Sequence, residues 1–292
     1  MQKSAPIDLA THPLTNWNGP HGLPDFMAFD ETAFAPVFDA ALAAHEAEIA
    51  EIAGNAEPPS IENTLAALEL AGDALSKVSA IFWCRAGAHT SETIQTLERT
   101  ISPRMARHVS AIFMNDVLFA RVDQLYRQRK ALALDAETDR VLEKTWKRFV
   151  RGGAQLGATE KARLAKINEE LAGLGATFGQ NVLADESGWA LFLEEGDLQG
   201  LSDALKSAMA EAAETRGQKG RFAATLSRSI AEPFLASSER RDLREKVFNA
   251  FTMRGENGGE TDNTVVVAKT LKLRAEKARL LGYETYAALK LD

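Results

Sequence analysis

Residues 45–49 read His45-Glu46-Ala47-Glu48-Ile49, which begins like the zinc-binding pattern H-E-x-x-H. In that pattern two histidines four apart share one helix face and hold the metal, and the glutamate activates the metal-bound water. Here Ile49 stands where the second histidine is needed. The spacing therefore predicts His45 as a boundary or core histidine on an apolar stripe. The other histidines, His12, His21, His89 and His108, have no partner at ligand spacing. The single cysteine, Cys84, sits among Ile81, Phe82 and Trp83, with Arg85 beside it. A nucleophilic thiol needs a lowered pKa and a nearby histidine, so this setting predicts a buried, inert thiol. The patterns G-x-S-x-G, G-x-x-x-x-G-K-[ST] and G-x-G-x-x-G do not occur.

The densest polar segment runs Arg254-Gly255-Glu256-Asn257-Gly258-Gly259-Glu260-Thr261-Asp262-Asn263. It lacks the ligand spacing of a calcium loop, which needs a bidentate glutamate at its end. One reading makes Asp262 the cap of the next helix. The other makes the loop face a ligand, with Arg254, Glu260 and Asn263 as its candidate side chains. Glu169-Glu170, Glu194-Glu195 and the turn of Arg216, Lys219 and Arg221 read as solvated surface. The residues themselves assign no catalytic group, no cofactor site and no metal ligand.

The elements that would position these side chains are helices. Phe34, Val37, Phe38, Ala41, Leu42, His45, Ile49 and Ile52 recur at steps of three and four, the mark of an amphipathic helix. Ser60 reads as the N-cap of a second helix running towards Gly87, and Asp116 as the cap of a later one. Pro103 is expected to kink or split the helix carrying Ile94 and Ile101. Leu164, Ile167, Leu171, Leu174, Phe178 and Val182 form the cleanest stripe, broken by glycines that let another helix approach. Two short strands are predicted near 188–193 and 221–227. Gly282-Tyr283 reads as a left-handed helix end. The fold class is mainly α, a multi-helix array with one small β element. The expected divisions are an irregular arm over 1–30, in which Trp17 and Phe26 pack onto the body, a helical bundle over 31–186, and strands plus helices over 187–292.

Composition excludes several classes. The chain has 292 residues, 45% of them hydrophobic and 26% charged, with a net charge of −7. There is ample apolar side chain for a core. The negative charge argues against general nucleic-acid binding, no apolar run reaches the ~18 residues of a membrane span, and a lone cysteine fits a reducing cytoplasm.

Several stretches together resemble one family. They are Trp17…Gly19-Pro20-His21-Gly22-Leu23-Pro24-Asp25-Phe26; Pro36-Val37-Phe38…His45…Glu48-Ile49; and Asn55…Pro58-Pro59-Ser60-Ile61-Glu62-Asn63-Thr64. Further on come Ile167-Asn168-Glu169…Thr177-Phe178…Asn181-Val182-Leu183 and Arg274-Ala275-Glu276-Lys277-Ala278…Leu280-Leu281-Gly282-Tyr283. Their order is similar to the N-terminal half of the thimet-oligopeptidase-like (M3) zinc metallopeptidases, in the branch of bacterial peptidyl-dipeptidase and oligopeptidase A. The resemblance implies a cytoplasmic, mostly helical peptidase of short peptides whose first half forms one wall of a deep channel. It implies zinc bound by H-E-x-x-H in the other half, so no family ligand or general base maps onto this chain. The expectation is a non-catalytic N-terminal half, inactive alone, whose partners are short peptides and the missing catalytic half and whose exposed face leads to self-association. In this frame Arg254, Glu260 and Asn263 become candidates for the channel lining. A stand-alone helical peptide-binding or interaction module is the alternative.

Overall fold

The computed structural model describes residues 7–292 and is mainly helical, as expected. Residues 1–6 of the sequence-defined arm lie outside the described residues. The chain divides into two compact units, Met1–Gly173 with Leu273–Asp292, and Leu174–Lys272. This division differs from a break at 187, because the last residues of the chain join the first unit.

In the first unit α1 spans Phe34–Gly54 and buries Phe34, Val37, Phe38, Ala41, Leu42, Ile49 and Ile52 along the predicted stripe. The second helix is not one piece. After Ser60, whose Oγ accepts from the Asn63 amide at 3.1 Å, the chain winds as a π-helical stretch over Ile61–Ala66 and continues into α2, Ala67–Leu70. Gly72 then takes φ +80°, and α3 starts afresh at Asp73–Ala88. The arm packs as expected at Trp17, which joins buried Leu14 against Phe34, Phe38 and Phe82. Phe26 differs, staying 41% exposed with its ring beside Phe29.

Helix α4, Glu92–Phe113, passes through Pro103 as one helix. Ile94 and Ile101 before the proline and His108 and Ile112 after it are all buried, so packing on both sides outweighs the lost backbone bond. Gly173 faces this proline; a Cβ there would lie 3.7 Å from Pro103 Cγ. Helix α5, Asp116–Gln128, is capped by Asn115 rather than Asp116: the Asn115 side chain accepts from the Leu118 amide, while Asp116 pairs with Lys161. Helix α6 spans Ala136–Arg151 and α7 spans Ala158–Gly188.

The α7 stripe is buried at Leu164 and Ile167, yet Phe178 is 45% exposed. A three-four pattern fixes a face, not what covers it.

In the second unit, strands β1 (Ala190–Leu193) and β2 (Phe222–Thr225) pair antiparallel, Ala190 opposite Thr225 and Leu193 opposite Phe222. Helices α8 (Asp203–Glu214), α9 (Arg228–Ser237) and α10 (Arg241–Thr252) close on this strand pair around Leu205, Met209, Phe234 and Val247. Helix α11 spans Thr264–Leu280, its last residues belonging to the first unit with α12, Tyr286–Leu291. Between them Gly282 at φ +81° sends the Tyr283 amide back to the Ala278 carbonyl at 2.9 Å, the predicted left-handed end. Among the described residues no helix is long and apolar enough to cross a membrane.

Candidate functional site

The three side chains singled out by the sequence belong to the loop between α10 and α11, in the second unit. Asn263 is only 2% exposed. Its amide donates to the Gly255 carbonyl at 2.6 Å, its Nδ2 donates to the Phe178 carbonyl at 3.1 Å, and its Oδ1 accepts from Asn181 at 3.0 Å. Asn263 also sits at the cap position of α11, because the Val267 amide donates to its carbonyl. Asp262, expected there, lies one residue earlier, where it accepts from the Thr264 and Gly258 amides. Arg254 donates from Nε to the Phe251 carbonyl at 2.9 Å and from one terminal nitrogen to Glu186 at 3.2 Å, with its guanidinium 3.9 Å from the Phe251 ring centroid. Gly255, at φ +75°, brings Arg254 and Asn263 together; a Cβ there would meet Asn263 Nδ2 at 3.1 Å. Glu260 stands apart on the surface.

The residue that organises this loop is Asp185 on α7, which no motif or local spacing in the sequence marks. Its carboxylate accepts from the Gly255 amide at 2.7 Å and from the Thr261 hydroxyl. Burial alone would raise its pKa, but the hydrogen bonds from Thr261, Gly255 and Asn257 outweigh this and hold it below the ordinary range. Asp262 is likewise held low by its bonds to Thr264 and Gly258. The Asp185 and Asp262 carboxylates are thus occupied as acceptors. The arrangement is a braced polar surface rather than an acid–base pair.

The first unit holds a second polar centre, again missed by spacing rules. His108 Nε2 on α4 lies 2.9 Å from His45 Nδ1 on α1, so one imidazole donates to the other. His108 Nδ1 has no hydrogen-bond partner and lies 3.5 Å from Glu46 Oε1. Beside them Glu48 accepts from the Gly72 amide at 2.7 Å. Burial pushes the His45 pKa down and His108 pushes it further, against the opposing pull of Glu48 and Glu46. The two histidines are 63 residues apart, beyond any local spacing rule. Cys84, expected to be buried, is exposed on α3.

Neither centre fits zinc. Two histidines bound to one tetrahedral zinc at ~2.0–2.1 Å place their nitrogens about 3.3 Å apart with the ion between them. The 2.9 Å contact of His45 and His108 is a direct hydrogen bond. Among the described residues no group of three or more His, Cys, Asp or Glu side chains could hold a metal ion.

Comparison with known proteins places these units in a family context. Residues 234–292 match Peptidase family M3. The chain is 35% identical to the dipeptidyl carboxypeptidase of Escherichia coli (strain K12) over 273 residues, 93% of this chain and 40% of that protein. Identity is also 35% to the dipeptidyl carboxypeptidase of Salmonella typhimurium (strain LT2), over 97% of this chain and 42% of that protein. Oligopeptidase A of the same Salmonella strain is 27% identical over 91% of the chain and 40% of its own length. The chain thus spans about two-fifths of the length of these curated relatives. Over most of its own length, then, it is similar in sequence to dipeptidyl carboxypeptidases and oligopeptidases A, and residues 234–292 match peptidase family M3.

Proposed function

We propose that this chain is the non-catalytic N-terminal half of a cytoplasmic, zinc-dependent peptidase of short peptides, a peptidyl-dipeptidase or oligopeptidase. In this reading it forms one wall of the substrate channel and hydrolyses nothing by itself. One observation carries the proposal: 35% identity that runs over 93% of the chain yet spans 40% of the dipeptidyl carboxypeptidase it matches. Zinc and the general base then belong to the portion of such a peptidase that this chain does not span, and no step of catalysis is routed through its residues.

Within the wall, the 254–263 loop is the proposed channel lining. Glu260, which faces solvent, meets substrate. Arg254 and Asn263 hold the loop in shape through Phe251, Glu186, Phe178 and Asn181. The exposed Val265, Val267 and Leu271 of α11 are the proposed route of self-association in the isolated chain, and sedimentation showing a monomer at high concentration would remove that part.

The test replaces the matching segment of the E. coli dipeptidyl carboxypeptidase with this chain. Zinc-dependent release of dipeptides by the chimera, with no turnover and less than one zinc per molecule for the chain alone, is the expected result. Turnover by the isolated chain overturns the proposal. A well-folded but inactive chimera, with saturable peptide binding by the isolated chain, favours a stand-alone peptide-binding module instead.

A further inference from the structure

A cavity of about 390 Å³ opens inside the first unit, walled by α1, α2, α3, α4 and α6. This lies within the range of cavities that take small organic ligands, about 300–1,000 Å³. Much of its wall is apolar, with Ile49, Leu75, Met105 and Phe149 among the lining residues. Four polar features converge on it. The His45–His108 pair forms part of the wall, and the buried Ser79 Oγ has no hydrogen-bond partner. Arg148 and Glu69 also line it, and both are exposed, so they stand at the rim. Arg148 rests on the Phe113 ring at 4.4 Å. Among the described residues neither Arg148 nor Glu69 has an ion-pair partner. The site therefore offers one unspent cation, one unspent carboxylate, and apolar walls behind them.

We propose that this cavity is a binding site for a small apolar α-amino acid. The zwitterionic head is held between Arg148 and Glu69, and the aliphatic or aromatic side chain enters among Ile49, Leu75, Met105 and Phe149. A ligand with a carboxylate but no ammonium leaves Glu69 facing it unpaired. A ligand with an ammonium but no carboxylate leaves Arg148 unpaired. Both rim side chains stay hydrated when unpaired, so each missing charge forfeits one charge-assisted contact and weakens binding by that amount. The proposal stands on the first unit alone and does not depend on the peptidase reading.

The experiment titrates the intact chain with L-leucine, following the His45 and His108 ring resonances by NMR and the heat by calorimetry. A saturable shift with a dissociation constant of about 1 mM is expected for a ligand of this size. Two analogues keep the side chain and drop one charge: 4-methylpentanoate and 3-methylbutylamine. Each should bind about tenfold more weakly than leucine. Arg148→Gln should weaken leucine about tenfold while leaving 3-methylbutylamine unchanged, and Glu69→Gln should do the same with 4-methylpentanoate as the unaffected ligand. Both side chains are exposed, so far-UV circular dichroism should show folded variants. No shift at about 10 mM leucine, or analogues that bind as tightly as leucine, would overturn the proposal.

Discussion

Gly72→Ala tests the argument that a single left-handed glycine lets the second helix break and lets His45 close on His108. Gly72 sits at φ +80°, with its amide on Glu48 and its Cα hydrogens against the His45 ring. An added Cβ would lie 2.8 Å from His45 Cε1 and 2.9 Å from Nδ1. The substitution carries two costs. A residue with a Cβ in the left-handed region loses about 1–2 kcal/mol. The His45 ring, tied to His108 at 2.9 Å, must also move, and overpacking of this kind costs about 1–3 kcal/mol. Against them, alanine restricts the unfolded chain and returns about 0.4–1 kcal/mol. The net expectation is a loss centred on about 3 kcal/mol. Urea unfolding followed by tryptophan fluorescence reads it, since Trp17, Trp83 and Trp146 all belong to the first unit. In a His45→Ala background the ring overlap is gone, and the same substitution should cost only about 1 kcal/mol. A loss below about 1 kcal/mol in the wild-type background, or equal losses in the two backgrounds, would refute the reasoning.

Arg121→Met should destabilise by about 2–4 kcal/mol, measured as a urea midpoint shift. It strips donors from the Asn55 and Glu57 carbonyls and from Asn63 Oδ1 in a site only 7% exposed. His45 carries a lowered pKa in the fold, so between that value and its ordinary 6.5 the unfolded chain binds more protons. Stability should therefore fall as the pH drops through 6.5 and level off below the folded value. His45→Gln should remove that slope, and a slope unchanged in the variant would count against the assignment. For Asp185 the sign is the same in a more acidic window: its depressed pKa contributes stability above the ordinary 3.8 that is lost as pH falls through the folded value. Asp185→Asn should thus be less stable than wild type at neutral pH and approach it in acid, with faster amide exchange at Gly255 at neutral pH. Cys84, exposed on α3, should take up one equivalent of a thiol reagent without denaturant, and protection until unfolding would show that it is covered.

The legibility of the sequence divides by range. Signals that act within one turn were legible. The stripe from Phe34 to Ile52 became α1, Ser60 does cap the helical stretch that begins at Ile61, and Gly282-Tyr283 does end α11. The exposure of Cys84 follows from the same helical geometry. At 100° per residue Cys84 points roughly 130° away from the mean direction of Leu75, Val78, Ile81 and Phe82, so the apolar residues adjacent to it in sequence do not surround it in space. The Asp116 and Asp262 assignments failed by one position, because Asn115 and Asn263 occupy the caps that acidic residues beside them also suited.

The polar centres were illegible for a different reason. His45 and His108 face each other only because α1 and α4 are packed in one unit, and Arg121 finds Asn55, Glu57 and Asn63 across more than fifty positions. Asp185 likewise lies 70 residues before the Gly255 amide it holds. Each centre joins a helix to a turn that a glycine or proline has released: Gly72 beside the histidine pair, Pro58-Pro59 beside Arg121, Gly255 beside Asp185. A turn freed by its own backbone cannot choose a direction; a buried polar group on a neighbouring helix chooses it by leaving donors or acceptors unpaired in any other arrangement. The local code therefore states where the chain breaks, and the long-range polar pairs state where it goes next. On that view the 254–263 loop owes its shape to Asp185 and Asn263, and the exposed Glu260 can be replaced while the loop keeps its form.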